Sequence, residues 1–279
     1  MPIYHSAKLS KFDFGICRSP GPGLGNLMFP FARSIIGSHG EDNILISPTW
    51  TQLKIGPFLR REKDKRIYFK EFLGRNLLEW KNWFRAKFLP KVDESRLASD
   101  LTQYDNYVVH YEGMGNYFRD IYDGRDLIKA WIDRNAKKDG EISQVYNIAC
   151  HVRLGDFRSE EDLESKSGHV VRQSWDWYRN SINEAVKLSN VPHPKIYLFT
   201  DESHDTVVEQ LDLPYELIKD PSRNAITALI NMSRANIIVT SRSTFSQWAA
   251  FMSEGLAIWN QNFNLKETFP IRANQDIFL

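Results

Sequence analysis

From residue 145 to the C-terminal region the chain alternates short apolar runs with helix-like stretches, and this most constrains what it can fold into. Residues 145–152 (VYNIACHV), 195–200 (KIYLFT), 215–219 (YELIK), 236–240 (NIIVT) and 256–259 (LAIW) read as strands, short and rich in β-branched side chains. Between them, residues 174–189, 204–211, 224–235 and 245–254 read as helices. In the first of these Tyr178, Ile182, Ala185 and Ser189 share one face. Pro192 and Pro194 stop it, and Gly255 closes the last one. Strands separated by helices need crossover connections, so the sheet is mostly parallel.

The first half is less regular. A strand at 12–18 leads through SPGPGLGN into a helix at 27–37, where Leu24, Met28, Phe31 and Ile35 fall on one side. Residues 70–89 look helical and are rich in aromatics, and 104–117 mixes a short strand with glycine turns. The KKDG turn at Gly140 marks the boundary, giving domains 1–140 and 141–279; 279 residues suffice for two domains of roughly 150 each. The expected class is α/β, two Rossmann-like domains facing a cleft, with ligands at the strand ends.

Composition removes several classes of function. Hydrophobic residues at 42% and charged residues at 25% exclude a disordered chain. Lys plus Arg is 36 against 35 acids, so there is no global attraction to nucleic acid, and any basic site is local. Two cysteines, Cys17 and Cys150, are too few for a disulfide framework and fit a reducing compartment. No apolar run approaches the ~20 residues of a membrane span, and the first residues lack a signal peptide's apolar stretch. The expectation is a soluble, cytoplasmic protein. The sequon at Asn231 falls inside an expected helix, a poor place for glycosylation.

Four segments could carry chemistry. Gly21, Gly23, Gly25 and Asn26 lie between a strand and a helix; glycines let a ligand approach the backbone, and helix-opening amides attract anions. A tight turn is the equal alternative. His151 and Arg153 project to one side of a strand end, with Val152 and Leu154 on the other, and an arginine there can grip a phosphate bidentately. The competing account is an Arg153–Asp156 pair bracing a turn, with His151 hydrogen-bonded in the core. Residues 240–246 (TSRSTFS) offer hydroxyls and amides at a helix start, more hydroxyls than capping by Ser243 or Thr244 explains. Thr200, Asp201 and Glu202 end the KIYLFT strand, where doubly wound folds contact nucleotides; equally, Asp201 caps the next helix through His204.

No two aspartates are separated by a single residue, and no His/Cys/Glu cluster has metal-ligand spacing. The acidic loop 159–164 reads as a solvated charge run. An anionic leaving group would then rely on Arg153 and helix termini.

Together these segments resemble the α-1,2-fucosyltransferase family, in the superfamily with the α-1,6- and protein O-fucosyltransferases. GPGLGNLMFPFA (21–32) is similar to that family's GGLGNQMFQYA, and HVRLGD (151–156) to its HxRRGD. LFTDE (198–202) resembles F(S/T)D, and MSRANIIVTSRSTFSQWAAFM (232–252) resembles MSxCxxxIIxNSSFSWWAAWL. The resemblance implies an inverting, metal-independent transferase of GT-B type, with GDP-fucose as donor, no cofactor and a glycan acceptor. It implies that Arg153 binds the β-phosphate and steadies departing GDP, and that His151 touches the nucleotide. Gly23, Gly25 and Asn26 would lie against the diphosphate or fucose, and Ser243, Thr244 and Phe245 against phosphate oxygens.

Three positions depart from the pattern. Leu154 stands where the family has a second arginine. Pro30 replaces a glutamine in what reads as the first helical turn. Ala228 stands where the family has an acid resembling the superfamily's guanine reader, so Asp220 or another acid must substitute. For the base that takes the acceptor proton, Asp156, Glu160, Glu161 and Asp201 are candidates. The acceptor is expected on the first domain. There residues 80–91 (WKNWFRAKFLPK) suit sugar stacking or a membrane surface, although packing of Leu77, Trp80, Phe84 and Phe88 into the core is the expected explanation. The rival functions are an inactive nucleotide or glycan binder on this scaffold and a transferase for another nucleotide-sugar.

Overall fold

The computed structural model describes residues 2–19, 22–51, 68–69, 71–96, 106–142, 146–154, 172–262 and 264–279. The chain divides into two units, Met1–Lys137 and Lys138–Leu279. The expected break after residue 140 falls three residues late, because the KKDG turn is built into the second unit. Asp139 N–H donates to Thr227 Oγ1, and its carbonyl accepts from Arg223 N–H. Gly140, at φ +83, presses so close that a Cβ there would stand 2.1 Å from the Pro221 carbonyl oxygen.

In the first unit, β1 (Ile3–Lys8) is central in a four-stranded sheet. β4 (Asn43–Ile46) and β6 (Val108–Glu112) flank it, β5 (Lys91–Asp93) lies beyond β6, and every pairing is parallel. The expected strand at 12–18 is instead a short antiparallel pair, β2 (Phe12–Asp13) and β3 (Arg18–Ser19). Asp13 dictates this: its carboxylate accepts from the amides of Leu9 (3.0 Å) and Gly15 (2.8 Å) and from Arg18 Nε (3.2 Å), curling the chain at Gly15, where φ is +77.

Helix α1 (Leu24–Gly37) begins three residues before the expected start. Pro30 therefore lies inside the helix rather than in its first turn, and it removes the bond its N–H would make to the Asn26 carbonyl. The aromatic side chains of α1 anchor it: Phe29 meets Phe118, and Phe31 packs between Trp50 and Trp131. Helix α3 (Arg125–Asn135) packs beside it.

Helix α2 (Leu77–Ala86) covers the opposite sheet face, with Ala86 against Tyr4, Ile46 and Val108. It occupies half of the expected 70–89 span, and its phase differs from expectation. An Asn76–Glu79 capping box starts it, Trp83 and Ala86 turn inward, and Leu77 (90% exposed), Trp80 (40%), Phe84 (60%) and Phe88 (75%) do not enter the core.

The second unit is the doubly wound sheet that the alternation predicts. Its strands are β7 (Asn147–Val152), β8 (Lys195–Thr200), β9 (Leu217–Lys219), β10 (Ile237–Val239), β11 (Leu256–Trp259) and β12 (Asp276–Phe278). They pair in parallel in the order β12-β11-β10-β7-β8-β9. Helices α4 (Trp175–Ser189), α5 (His204–Leu211), α6 (Ala225–Ser233) and α7 (Thr244–Met252) connect them. Residues expected to begin two of the helices are instead their caps. Ser174 caps α4 and Asn224 caps α6, each accepting an amide of the first turn, while Ser243 caps α7. Ser174→Ala is expected to cost about 1 kcal/mol, measured as a lower urea midpoint for this unit's unfolding.

Tyr178, Ile182, Ala185 and Ser189 are all buried on α4, as their spacing requires. On β7, Ile148, Cys150 and Val152 point into this core, and Leu154 continues their side at 9% exposure, so the residue standing for the family's second arginine is a core residue here. Asn231 is 2% exposed and hydrogen-bonds the Gly140 carbonyl and Ser222, which removes the sequon from solvent. No described helix is long and apolar enough to cross a membrane.

Candidate ligand site at the strand switch of the second unit

From β7 the chain moves outward through β8 and β9, then crosses back to place β10 on the other side of β7. The connections thus leave the β7 and β10 ends in opposite directions and open a crevice there, the place where open α/β sheets bind ligands. The residues after β7, β8 and β10 meet at this edge.

After β7 comes Arg153. Its guanidinium Nη1 lies 3.2 Å from Asp201 Oδ2, which follows β8, and both side chains are mostly buried. The other carboxylate oxygen, Oδ1, accepts the Leu154 amide at 2.9 Å. Asp201 is thereby committed on both oxygens. It fixes the arginine and the β7 exit and is poorly placed to take a substrate proton. It does not cap α5 either, whose first position follows Ser203. Asp201 is a partner of Arg153 among the described residues; Asp156, and with it the expected Arg153–Asp156 pair, lies outside them, as do Glu160, Glu161 and the loop 159–164.

His151 is 5% exposed and its ring stacks obliquely on Phe245. Nδ1 lies 2.9 Å from Ser241 Oγ, after β10. Burial lowers its pKa to about 4, the charge of Arg153 adds to this and Asp201 opposes it, so the ring is neutral at pH 7. Ser241 Oγ also accepts the Ser243 amide at 3.2 Å; where its proton goes to Nδ1, the ring's N–H is on Nε2. The expected core hydrogen bond of His151 is present.

The hydroxyls of 240–246 have internal duties that the anion-cradle expectation missed. Thr240 Oγ1 donates to the Ile258 carbonyl, and Ser246 Oγ to the carbonyls of Ser241 and Ser243. Ser243 Oγ accepts the Phe245 amide as the α7 cap. That leaves the Ser243 hydroxyl proton undirected by any acceptor that these bonds define, and Thr244 as the first helical residue.

Arg242 lies in the same 240–246 segment, whose hydroxyls and amides the sequence brings forward instead. It follows β10 beside the switch, and its Nε is buried with no hydrogen-bond partner. Its charge reaches the buried Tyr178 hydroxyl, as does that of Asp201. An orphaned guanidinium nitrogen at this edge needs an acceptor, and its signal in the sequence is an arginine a few residues past a strand end.

Gly23, Gly25 and Asn26 lie at the start of α1 in the first unit. Gly23 is the N-cap, with extended backbone and no side-chain cap. The Leu24 amide donates to Tyr68 Oη at 3.0 Å, and the Asn26 amide to the Gly23 carbonyl at 3.1 Å. Protein groups therefore already occupy two of the amides expected to cradle an anion. Among the described residues no group of three or more His, Cys, Asp or Glu side chains is arranged to hold a metal ion.

No family profile matches the chain, and no curated protein matches it. Solved structures do. A crystal structure of POFUT1 in complex with GDP is 14% identical, covers 91% of this chain and 96% of its own, and superposes with a TM-score of 0.47. POFUT1 in complex with GDP-fucose gives 15%, 90%, 95% and 0.46. The α-1,6-fucosyltransferase NodZ soaked with GDP-fucose gives 12%, 90%, 92% and 0.44. The α/β class itself stands on this chain's own parallel sheets.

Proposed function

We propose that the protein is an inverting fucosyltransferase that moves fucose from GDP-fucose to a glycan hydroxyl, forming an α-1,2 linkage in the cytoplasm without a metal. The observation that carries this reading is Arg153, held by Asp201 at the strand switch, in a chain whose four segments resembling fucosyltransferase motifs occur in family order.

In the proposed reaction the acceptor hydroxyl attacks the anomeric carbon and GDP leaves from the opposite face. Arg153 neutralises the departing diphosphate, a role Arg242 and the start of α7 support, because fixed positive groups stabilise charge without reorganising. His151 holds the β10 exit in register as a neutral ring and offers Nε2–H to an oxygen. With Asp201 committed to Arg153, the proton-accepting carboxylate is assigned to Asp156, Glu160 or Glu161.

Base recognition is the weakest match to the family pattern. Ala228 presents a methyl group, and Asp220, after β9, has Oδ1 taken up by the Ser222 amide and hydroxyl at 3.0 and 2.6 Å. A thermal-shift series with GDP, UDP and ADP and their sugar conjugates is therefore the direct test. GDP at 100 times its Kd is expected to stabilise the second unit by about 2.7 kcal/mol, with UDP and ADP well below. Equal shifts for all three would refute a guanine donor. GDP binding with no fucose release would replace the enzyme by a binding protein.

A further inference from the structure

A cavity of about 540 Å³, within the range of small-ligand sites, lies in the first unit between α2 and the sheet face that carries Tyr4. Its described lining residues all belong to that unit. Lys8, Arg18, Arg75, Lys87, Lys91 and His110 contribute to its walls, and Asp13 is the one carboxylate among the described lining residues.

The pairing of these charges is uneven. Lys8 pairs with Glu112 at 2.8 Å, and Arg18 with Asp13. Asp13 is further occupied by two backbone amides. Arg75 gives Nε and Nη2 to the Ser47 carbonyl, while its Nη1 is buried with no hydrogen-bond partner. Lys87 lies 4.0 Å above the Trp83 ring, and neither it nor Lys91 has a carboxylate partner among the described residues. Burial lowers the Arg75 pKa to about 10, which leaves it charged at neutral pH. Burial, then the charges of Lys91 and Lys8, lowers that of His110, which makes it a neutral donor or acceptor.

A buried cationic nitrogen without an acceptor is costly. Although the charges of Glu79 and Asp13 reach Arg75, its Nη1 lacks an acceptor, and Lys87 and Lys91 beside it have no ion-pair partner among the described residues. An entering anion is therefore favoured. The other walls are not those of a bare ion site. Trp83 and Phe14 line the same space, and Trp83 is held in place by Gly15, whose missing Cβ would stand 2.9 Å from Trp83 Nε1. An aromatic ring beside convergent polar donors suits a sugar, which presents an apolar face and a rim of hydroxyls.

We propose that this cavity binds a sugar bearing an anionic group, a uronate or a sugar phosphate, and that the acceptor of the transfer reaction is an acidic glycan. The binding claim stands on the cavity alone; the acceptor role rests on the fucosyltransferase reading. Isothermal titration of the full chain with methyl β-D-glucuronide, glucose 6-phosphate, methyl β-D-glucoside and inorganic phosphate tests it. At least one charged sugar is expected to bind about tenfold or more tightly than both the neutral glucoside and inorganic phosphate, as charge-assisted bonds to a sugar-shaped ligand require. Which of the two does so identifies the anion. The exposed Lys87→Gln/Lys91→Gln double variant, which spares the buried Arg75, is expected to erase most of that preference. Overturning results are no binding, equal affinity for the neutral glucoside, equal affinity for phosphate alone, or a preference that survives the double variant. GDP titration of the same variant reports separately on the nucleotide reading. Loss of GDP binding in the parent chain with glucuronide binding intact would sink the transferase and leave the site standing.

Discussion

Arg153→Ala is expected to lower fucose transfer by about two to three orders of magnitude while the protein remains folded. The argument starts from the strand order. β7 ends at the reversal of the sheet, Arg153 follows it, and Asp201, just after β8, restrains its guanidinium at 3.2 Å. A restrained cation is worth more to a developing diphosphate than a mobile one, because nothing reorganises as charge builds. Arg153→Lys restores charge without the planar fork and is expected to rescue little. Asp201→Asn keeps an oxygen for the Leu154 amide but weakens the restraint, so it should lower kcat more than GDP affinity. Steady-state kinetics with GDP titration on the three variants decides the matter. An Arg153→Ala protein turning over at the parent rate would remove the arginine from the mechanism.

The elements flanking this site were legible for a physical reason. Strands buried on both faces must be continuous apolar runs, and β7, β8 and β10 are; their helices carry a clean apolar stripe, as on α4. Two helix starts differ from expectation because Ser174 and Asn224 promise a helix start but stand just outside it, as caps. Sheet order is not written locally. Asp201 could be placed at a strand end, yet only the β7–β8 adjacency shows that its partner is Arg153 and its acceptor duty the Leu154 amide. The internal duties of the serines of 240–246 were hidden for the same reason, since Ser241 serves a histidine on a neighbouring strand.

The first unit hid more. β1 carries His5, Ser6 and Lys8, so its hydropathy is that of a loop, and only its place between β4 and β6 makes it a strand. Asp13 converts an apparently continuous strand into a turn through three hydrogen bonds that no periodicity reveals. On α2 almost every position outside the charges is apolar, so two faces compete, and the sheet selects the one with Trp83 and Ala86. The discarded face leaves Leu77 and Phe84 exposed, with Phe88 just beyond the helix, and Arg75 and Lys87, which bracket α2, stand over the cavity.

Acidification is expected to destabilise the second unit by about 3 kcal/mol between pH 6.5 and pH 4. The cause is His151, whose pKa falls from 6.5 to about 4 on folding because burial and Arg153 both disfavour its charged form. Between these values the unfolded chain binds a proton that the folded chain refuses. Stability is thus full above pH 6.5, declines as pH falls, and levels off near 4. Asp220 acts in the opposite sense, since burial raises its pKa and its native carboxyl takes up a proton more readily, which softens the acid end of the decline. In the first unit His5 and His110 are also lowered, burial being the largest cause for both, so that unit declines in the same direction. Urea midpoints from pH 7.5 to 4 measure the loss. His151→Gln can still hydrogen-bond Ser241 but cannot gain a proton, so it should flatten the second unit's profile while the first unit's slope persists. If the variant and the parent lose stability in parallel, a charge elsewhere is responsible and the neutral, buried state of His151 is wrong.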